Sequence, residues 1–334
     1  MRPTLHPRLV NGRFGDPAVF VEALHRPDAL LFDLGDLSPL GARDLLRVTH
    51  VLVSHMHMDH FIGFDRLLRV HVGREKRIAV VGPEGISAAV GHKLQAYSWD
   101  LVDRYATDLV FEVIEVRAPD TLAATRFRLK AGFTREPGDL PARGDGGTID
   151  WPDLRLSVAV LDHHGPSLGY AIEEPVHVNI WRNRLDARGL ATGSWLQGLK
   201  QAIRRGETDD TQIALPDGGS APLRALRDLA SVGRGQKIAY VTDVADTSRN
   251  REKIVALAAE ADLFFVEASF SAADRSHAAH RAHLTTIAAG EMARAAHVRR
   301  IEPFHFSPRY EGEEDRMIAE VMAAFQPSAM MAEA

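Results

Sequence analysis

The hexapeptide His55-Met56-His57-Met58-Asp59-His60 constrains this chain more than any other feature. It comes directly after the apolar run Val48 to Val53, which reads as a strand. Residues two apart in extended chain point to the same side, so His55 and His57 can chelate one ion. Asp59 and His60 then turn toward a second position where a helix begins. At this chain's histidine frequency, three histidines at fixed places in six residues arise by chance in roughly one window in ten thousand. The competing reading is a solvated polar turn. Two ions need further donors, and other strand ends offer them: Val158 to Leu161 runs into Asp162-His163-His164, Ile238 to Thr242 into Asp243, and Ile301 to Phe304 into His305. The chain has 16 histidines and no cysteine, which excludes disulfides, thiolate zinc fingers, iron–sulfur clusters and cysteine nucleophiles. Any metal must bind through nitrogen and oxygen.

With 334 residues, 45% hydrophobic and 25% charged, the chain can bury a core without covalent staples. Neither an apolar stretch of spanning length nor a signal-like segment in Met1 to Gly15 is readable, and a reducing compartment suits a cysteine-free chain. The expectation is a cytoplasmic protein without membrane partners. Strands are predicted at Val19–Leu24, Ala29–Asp33, Val48–Val53, Arg77–Val81, Thr125–Leu129, Leu154–Val160 and Gly169–Ile172, with a helix over Phe61–Val72. From Pro175 to about Gly235 the pattern breaks into a polar, glycine-rich insertion with possible helices at Trp195–Ile203 and Pro222–Ala230. Strand and helix then alternate: Lys237–Thr242, helix Arg251–Glu260, Leu263–Glu267, helix Thr285–His297, Arg300–Pro303, helix Glu314–Phe325. The tail from Gln326 to Ala334 is expected to fray.

The hexapeptide resembles the H-x-H-x-D-H signature of the metallo-β-lactamase superfamily, and within it the chain is most similar to the ribonuclease Z family. Supporting segments fall in that family's order over roughly residues 18 to 310: Arg77 to Pro83, Leu161-Asp162-His163 through Ser167-Leu168-Gly169-Tyr170, Leu215-Pro216-Asp217-Gly218, Phe265 to Phe270, Ala282-His283-Leu284-Thr285, and His305-Phe306-Ser307-Pro308-Arg309-Tyr310. The resemblance implies an α/β fold, a single αββα sandwich over residues 1–334 with an inserted arm at 175–235. It implies two Zn2+ ions, with Mn2+ or Fe2+ as alternatives: one on His55, His57 and His163, the other on Asp59, His60 and His305, bridged by Asp243. Asp246, three residues on, is the alternative bridge, and His164 is expected near the site or facing solvent.

Phosphodiester hydrolysis is the chemistry that such a centre suits. Two ions bring a bridging water near neutral pKa and stabilise the attacking and leaving oxygens. Asp59 can orient that water or take its proton, and His283, aimed by Glu267, is the expected acid for the leaving ribose oxygen. Glu267 as a capping carboxylate and His283 as a residue at a helix start are the plainer readings. Ser307 and Arg309 are candidate phosphate contacts. The family's arm grips tRNA, and here residues 175–206 carry Arg182, Arg184, Arg188, Lys200, Arg204 and Arg205 against Asp186 alone, in a chain of net charge −5. Trp181 and Trp195 add stacking surfaces. The resemblance thus implies an endonuclease removing the 3′ trailer of precursor tRNA, acting as a homodimer. A hydrolase of a small phosphodiester, cyclic nucleotide or lactone, and a non-catalytic metal-binding scaffold, are the alternatives.

Overall fold

Short, nearly continuous apolar runs between turn residues, such as Ala29–Phe32 and Leu263–Glu267, become strands buried on both faces, which requires each sheet to be covered on both sides. A computed structural model describes residues 4–24, 26–117, 121–144, 147–174 and 176–326. They form two compact units, the larger being Met1–Trp151, Leu156–Ile172 and Lys237–Ala334, the smaller Pro152–Arg155 and Glu173–Gln236.

In the larger unit one sheet holds, in spatial order, β1 (Leu5–Leu9), β2 (Val19–Ala23), β3 (Ala29–Phe32), β4 (Val48–Leu52), β5 (Lys76–Pro83), β6 (Leu109–Arg117), β7 (Thr121–Arg128) and β8 (Arg135–Pro137). The next strands are β9 (Ala142–Arg143), β10 (Ile149–Asp150), β11 (Arg155–Asp162) and β12 (Pro166–Glu173). β13 (His177–Ile180), β14 (Gln212–Ala214), β15 (Ser220–Pro222) and β16 (Ala230–Gly233) belong to the smaller unit. β17 (Lys237–Val241), β18 (Leu263–Glu267) and β19 (Ile301–Phe304) complete the second sheet, ordered β19-β18-β17-β12-β11-β10-β9. The β3-β4-β5-β6 and β17-β18-β19 pairings are parallel, so loops from several strands leave at the same edge.

The two sheets face each other across an aromatic layer. Phe32 of β3 stacks on Tyr240 of β17 at 4.9 Å, and the Tyr170 hydroxyl donates to the Val53 carbonyl at 2.6 Å. On its outer face each sheet carries helices. Leu31, Val51, Ile78, Val80 and Phe111 pack with Leu67, Leu68, Val90 and Leu94 of the helices Phe64–His71 and Ile86–Gln95. Ala239, Val241, Phe264 and Val266 pack with Ile254, Met292 and Val321 of the helices Ser248–Ala258, Thr286–Ala295 and Glu314–Phe325. The expected αββα sandwich is the observed fold. Helix starts reflect local chemistry, as at Thr285, whose side chain accepts from the Ala288 amide.

Two expectations need correcting. The helix predicted over Phe61–Val72 is two helices, Met58–Phe61 and Phe64–His71, broken at Ile62-Gly63. Gly63 donates its amide to the Leu34 carbonyl at 2.8 Å, and a Cβ there would lie 2.2 Å from the Gly35 carbonyl oxygen. The helix predicted over Pro222–Ala230 is a pair of 3-10 turns, Leu223–Ala225 and Arg227–Leu229, leading into β16. Leu223, Leu226 and Leu229 are buried at a spacing of three, the period of that tighter helix. Strands β1, β6, β8, β9, β10, β13, β14, β15 and β16 and the helices Ala42–Arg47, Ile86–Gln95, Arg182–Ala187 and Arg275–Arg281 are additional to the predicted elements. The fraying tail lies outside the described residues beyond Gln326.

The smaller unit has a core of its own, with Val178, Leu185, Leu199, Leu223 and Leu229 buried. β13 pairs antiparallel with β16, and β14 with β15. Among the described residues no helix is long and apolar enough to cross a membrane.

Gly63→Ala forces its new methyl group into backbone. The variant is expected to lose about 1–3 kcal/mol of stability, read as a lower midpoint in urea unfolding; an unchanged midpoint would show that this contact relaxes freely.

Candidate metal centre

The C-terminal ends of β4, β11, β17, β18 and β19 converge, and each delivers a polar side chain within one residue of the strand end or in the adjoining turn. His55 and His57 come from the turn after β4, with rings 4.3 Å apart, and Asp59 and His60 from the short helix Met58–Phe61. His163 sits in the turn after β11, Asp243 in the loop after β17, and His305 after β19. Asp243 and His305 have φ of 39° and 57°, left-handed values that turn the chain sharply at the strand end.

One set of donor atoms, from His55, His57, His163 and Asp243, lies within 4.8 Å of one another, as does a second set from Asp59, His60 and His305. The Asp243 carboxylate touches both: Oδ2 is 3.7 Å from Nε2 of His55 and of His163, while Oδ1 is 2.9 Å from His305 Nε2 and 3.5 Å from His60 Nε2. Asp59 Oδ2 is 3.4 Å from His60 Nε2. Most of these separations are too long for hydrogen bonds, yet two donors each about 2.1 Å from a tetrahedral ion lie about 3.4 Å apart. Nε2 of His55 and Nε2 of His60 are buried without a hydrogen-bond partner. Orphaned imidazole nitrogens beside a buried carboxylate are what a divalent cation satisfies, so the donor set fits metal binding.

Surrounding groups fix the ligand rings. His60 Nδ1 meets Asp33 Oδ2 at 2.9 Å, and His163 Nδ1 meets the Ala282 carbonyl at 2.9 Å. Asp33, at φ 55°, also accepts from the Ser54 amide at 2.6 Å, the Ser54 hydroxyl at 2.8 Å and the Tyr240 hydroxyl at 2.6 Å. Burial and the neighbouring His60 push His55 down to about 3, leaving a neutral ring suited to coordination. Burial also lowers His163. His60 goes the other way: burial disfavours its charge, but Asp243 and Asp33 on either side raise it well above the usual range. Burial raises Asp59, but the adjacent His60 holds it down at about 2.

Next to this cluster, His283 Nδ1 lies 3.0 Å from Glu267 Oε2. Glu267 is fully buried, and it also accepts from the Val244 amide and the Ser269 hydroxyl. Burial works against charging His283, but Glu267 outweighs it and raises the imidazole to about 9. Ser307 and Arg309 line a cavity of about 410 Å³ that His283 and His305 also line. Arg309 spans Asp274, at 3.8 Å, and the face of Phe270. His164 is exposed beside His163, with rings 4.4 Å apart.

Not every sequence candidate stands free. Arg188 is ion-paired to Asp228, and Arg184 donates to the Asp228 carbonyl while its guanidinium covers the Trp181 ring at 5.6 Å. Arg224 and Arg227 pair with Asp210 and Asp209. The basic count over 175–206 missed acids lying further along: residues 176–235 carry nine basic against six acidic side chains. Arg182 is exposed and has no ion-pair or hydrogen-bond partner among the described residues. Trp195 packs against the smaller unit's core and donates to the Ala191 carbonyl, a structural role. Sequence reasoning assigned no role to Asp33, Ser54, Tyr240 and Ser269. Only Asp33, ending a strand as Asp243 does, carried a signal.

Asp246 is bound to Arg251. Asp243→Asn should therefore remove most bound divalent metal, while Asp246→Asn should keep it. Metal-to-protein ratios by mass spectrometry after loading and desalting check this, and equal retention in both variants would contradict the geometry.

Comparison with known proteins agrees with this reading. The metallo-beta-lactamase superfamily profile matches residues 22–172. Ribonuclease Z of Deinococcus radiodurans is 32% identical over 310 residues, covering 91% of this chain and 90% of its own. Ribonuclease Z of Thermobifida fusca is 33% identical over 317 residues, covering 91% and 83%. Among solved structures, the short form of human tRNase Z superposes with a TM-score of 0.52 at 18% identity, covering 92% of each chain. A metallo-beta-lactamase fold protein of Bacillus subtilis, YhfI, gives 0.54 at 14%, covering 95% and 92%. With its relatives aligned over nine tenths of its length and the fold in common, this chain belongs to the ribonuclease Z family of the metallo-beta-lactamase superfamily.

Proposed function

We propose that this protein is a metal-dependent endoribonuclease that removes the 3′ trailer from precursor tRNA. The observation that carries the reading is the joint placement of two histidine–carboxylate donor sets around Asp243, with the His283–Glu267 pair beside them. Relatives named ribonuclease Z, aligned over nearly the whole chain, support the substrate class. His55, His57 and His163 would hold one Zn2+ and Asp59, His60 and His305 a second, bridged by Asp243; Mn2+ or Fe2+ suits the same donors. Two such ions supply Lewis acidity to a phosphodiester and near-neutral ionisation to a water.

The chain's own groups do the rest. Asp59 orients the attacking water or accepts its proton. As the new P–O bond forms, the bond from phosphorus to the upstream ribose O3′ breaks. His283, protonated and held by Glu267, donates its Nε2 proton to that oxygen, leaving a 3′-hydroxyl on the tRNA and a 5′-phosphate on the trailer. Ser307 and Arg309 line the adjacent cavity as phosphate contacts. The smaller unit, residues 175–235 in the sequence reading, would grip the tRNA body as an arm through Arg182 and the exposed Arg204 and Arg205. The proposal includes a cytoplasmic homodimer, on the family resemblance and the lack of cysteine.

A second reading keeps the chemistry but takes a small phosphodiester, a cyclic nucleotide or a lactone. Engagement of Arg184 and Arg188 by Asp228 favours it, because it removes two cations from the arm's phosphate-binding capacity. Incubation with a trailer-bearing precursor tRNA beside bis(p-nitrophenyl) phosphate separates the two. Rapid, single-site cleavage of the precursor is expected; turnover of the small diester alone would overturn the RNA reading.

His283→Ala should cut turnover by about 10²–10⁴-fold at unchanged metal content. Because the acid must be protonated, wild-type activity should hold up to about pH 9 and fall above it. In Glu267→Gln the fall should move to lower pH, and a pH–rate profile with an unmoved alkaline limb would reject this pairing.

A further inference from the structure

The 410 Å³ cavity beside the metal centre is lined by groups of both signs: the carboxylates Asp16 and Asp59 and the guanidiniums Arg281 and Arg309, with His277 and His283 in the same lining. The two guanidiniums are not alike. Arg309 is held by Asp274 and by His277, whose Nε2 lies 3.4 Å from its guanidinium. Arg281, in the last turn of the helix Arg275–Arg281, is exposed and has no ion-pair or hydrogen-bond partner among the described residues. It is an uncommitted guanidinium two residues from the expected acid.

We propose that this cavity binds the nucleotide immediately 5′ of the scissile bond, with Arg281 taking that nucleotide's own 5′-phosphate. The inference rests on the RNA reading above and deepens it. In that reaction the leaving atom is the O3′ of the upstream ribose, and the group that protonates it lines this cavity. The upstream nucleotide must therefore enter here, and the trailer must leave by another side. The charges in the lining set its orientation: a phosphate is repelled by Asp16 and Asp59 and drawn to the guanidinium, which offers a two-pronged contact to phosphate oxygens. The volume suits one nucleotide rather than a duplex end. Arg281 thus serves as a binding residue that secures the leaving group, separate from the metal chemistry.

The test compares Arg281→Ala and Arg281→Lys with wild type on a trailer-bearing precursor tRNA and on bis(p-nitrophenyl) phosphate, which has no upstream phosphate. Arg281→Ala should lower kcat/KM on the precursor by about 10- to 100-fold, with turnover of the small diester changed less than about twofold. The log–log dependence of KM on salt should become shallower by about 0.7, one single-strand phosphate contact. Arg281→Lys, which keeps the charge, should recover part of the loss and the original salt slope. Equal losses on both substrates, or no loss on the precursor, would overturn the subsite alone. A wild-type protein that leaves the precursor intact while hydrolysing the diester would overturn the RNA reading, and this inference with it.

Discussion

Four donors converge on the fully buried carboxylate of Asp33: the Ser54 amide, the Ser54 hydroxyl, the Tyr240 hydroxyl and His60 Nδ1. These contacts join β3, the end of β4, the β17 strand of the opposite sheet, and the metal cluster. A carboxylate out of water is tolerable only when its lone pairs are filled and a positive charge stands near. Ser54, Tyr240 and His60 fill the lone pairs of Asp33, and the proposed cations lie one imidazole away. The His60 ring is fixed in one orientation with Nδ1 toward the carboxylate and Nε2 toward Asp243 and Asp59. The sandwich and the centre are thus a single electrostatic construction. Removing the carboxylate would leave buried donors in both sheets and free the ring that faces the ions.

The parallel strands make the rest of the arrangement possible. β4, β17, β18 and β19 end at one edge, and the chain must turn there at once or run into solvent. Asp33, Asp243 and His305 all turn with positive φ, a conformation that costs about 1–3 kcal/mol each for residues other than glycine. That strain is accepted where side chains must point back over the sheet edge. The surrounding packing, from Phe304 and Phe306 on either side of His305 to Val244 after Asp243, is fully buried and holds the turns in place.

Much of this was legible from the chain. The hexapeptide named one half of the centre because chelation by one strand and one helix turn leaves a dense local signature. The other half was readable as polar residues ending apolar strands, and the framework came from strand–helix alternation. The hidden part depended on distance along the chain. Asp33 fills its role only because β3 lies beside β4, and Tyr240 reaches it across 207 positions. The break at Gly63 was invisible because helical spacing continues through it; a carbonyl from the Leu34-Gly35 loop decides the matter. The basic insertion misled in the same way, since Asp228 lies 40 residues from Arg188 and no local charge count pairs them.

The proposed chemistry stands on two cations sharing Asp243. Anomalous diffraction from crystals grown with Zn2+, recorded on both sides of the metal edge, addresses it most directly. Two peaks are expected about 3.5–4 Å apart, one within reach of His55, His57 and His163, the other of Asp59, His60 and His305, with the Asp243 carboxylate between them. A single peak elsewhere on the surface, or none at this edge of the sheets in crystals whose metal content is confirmed, would contradict it.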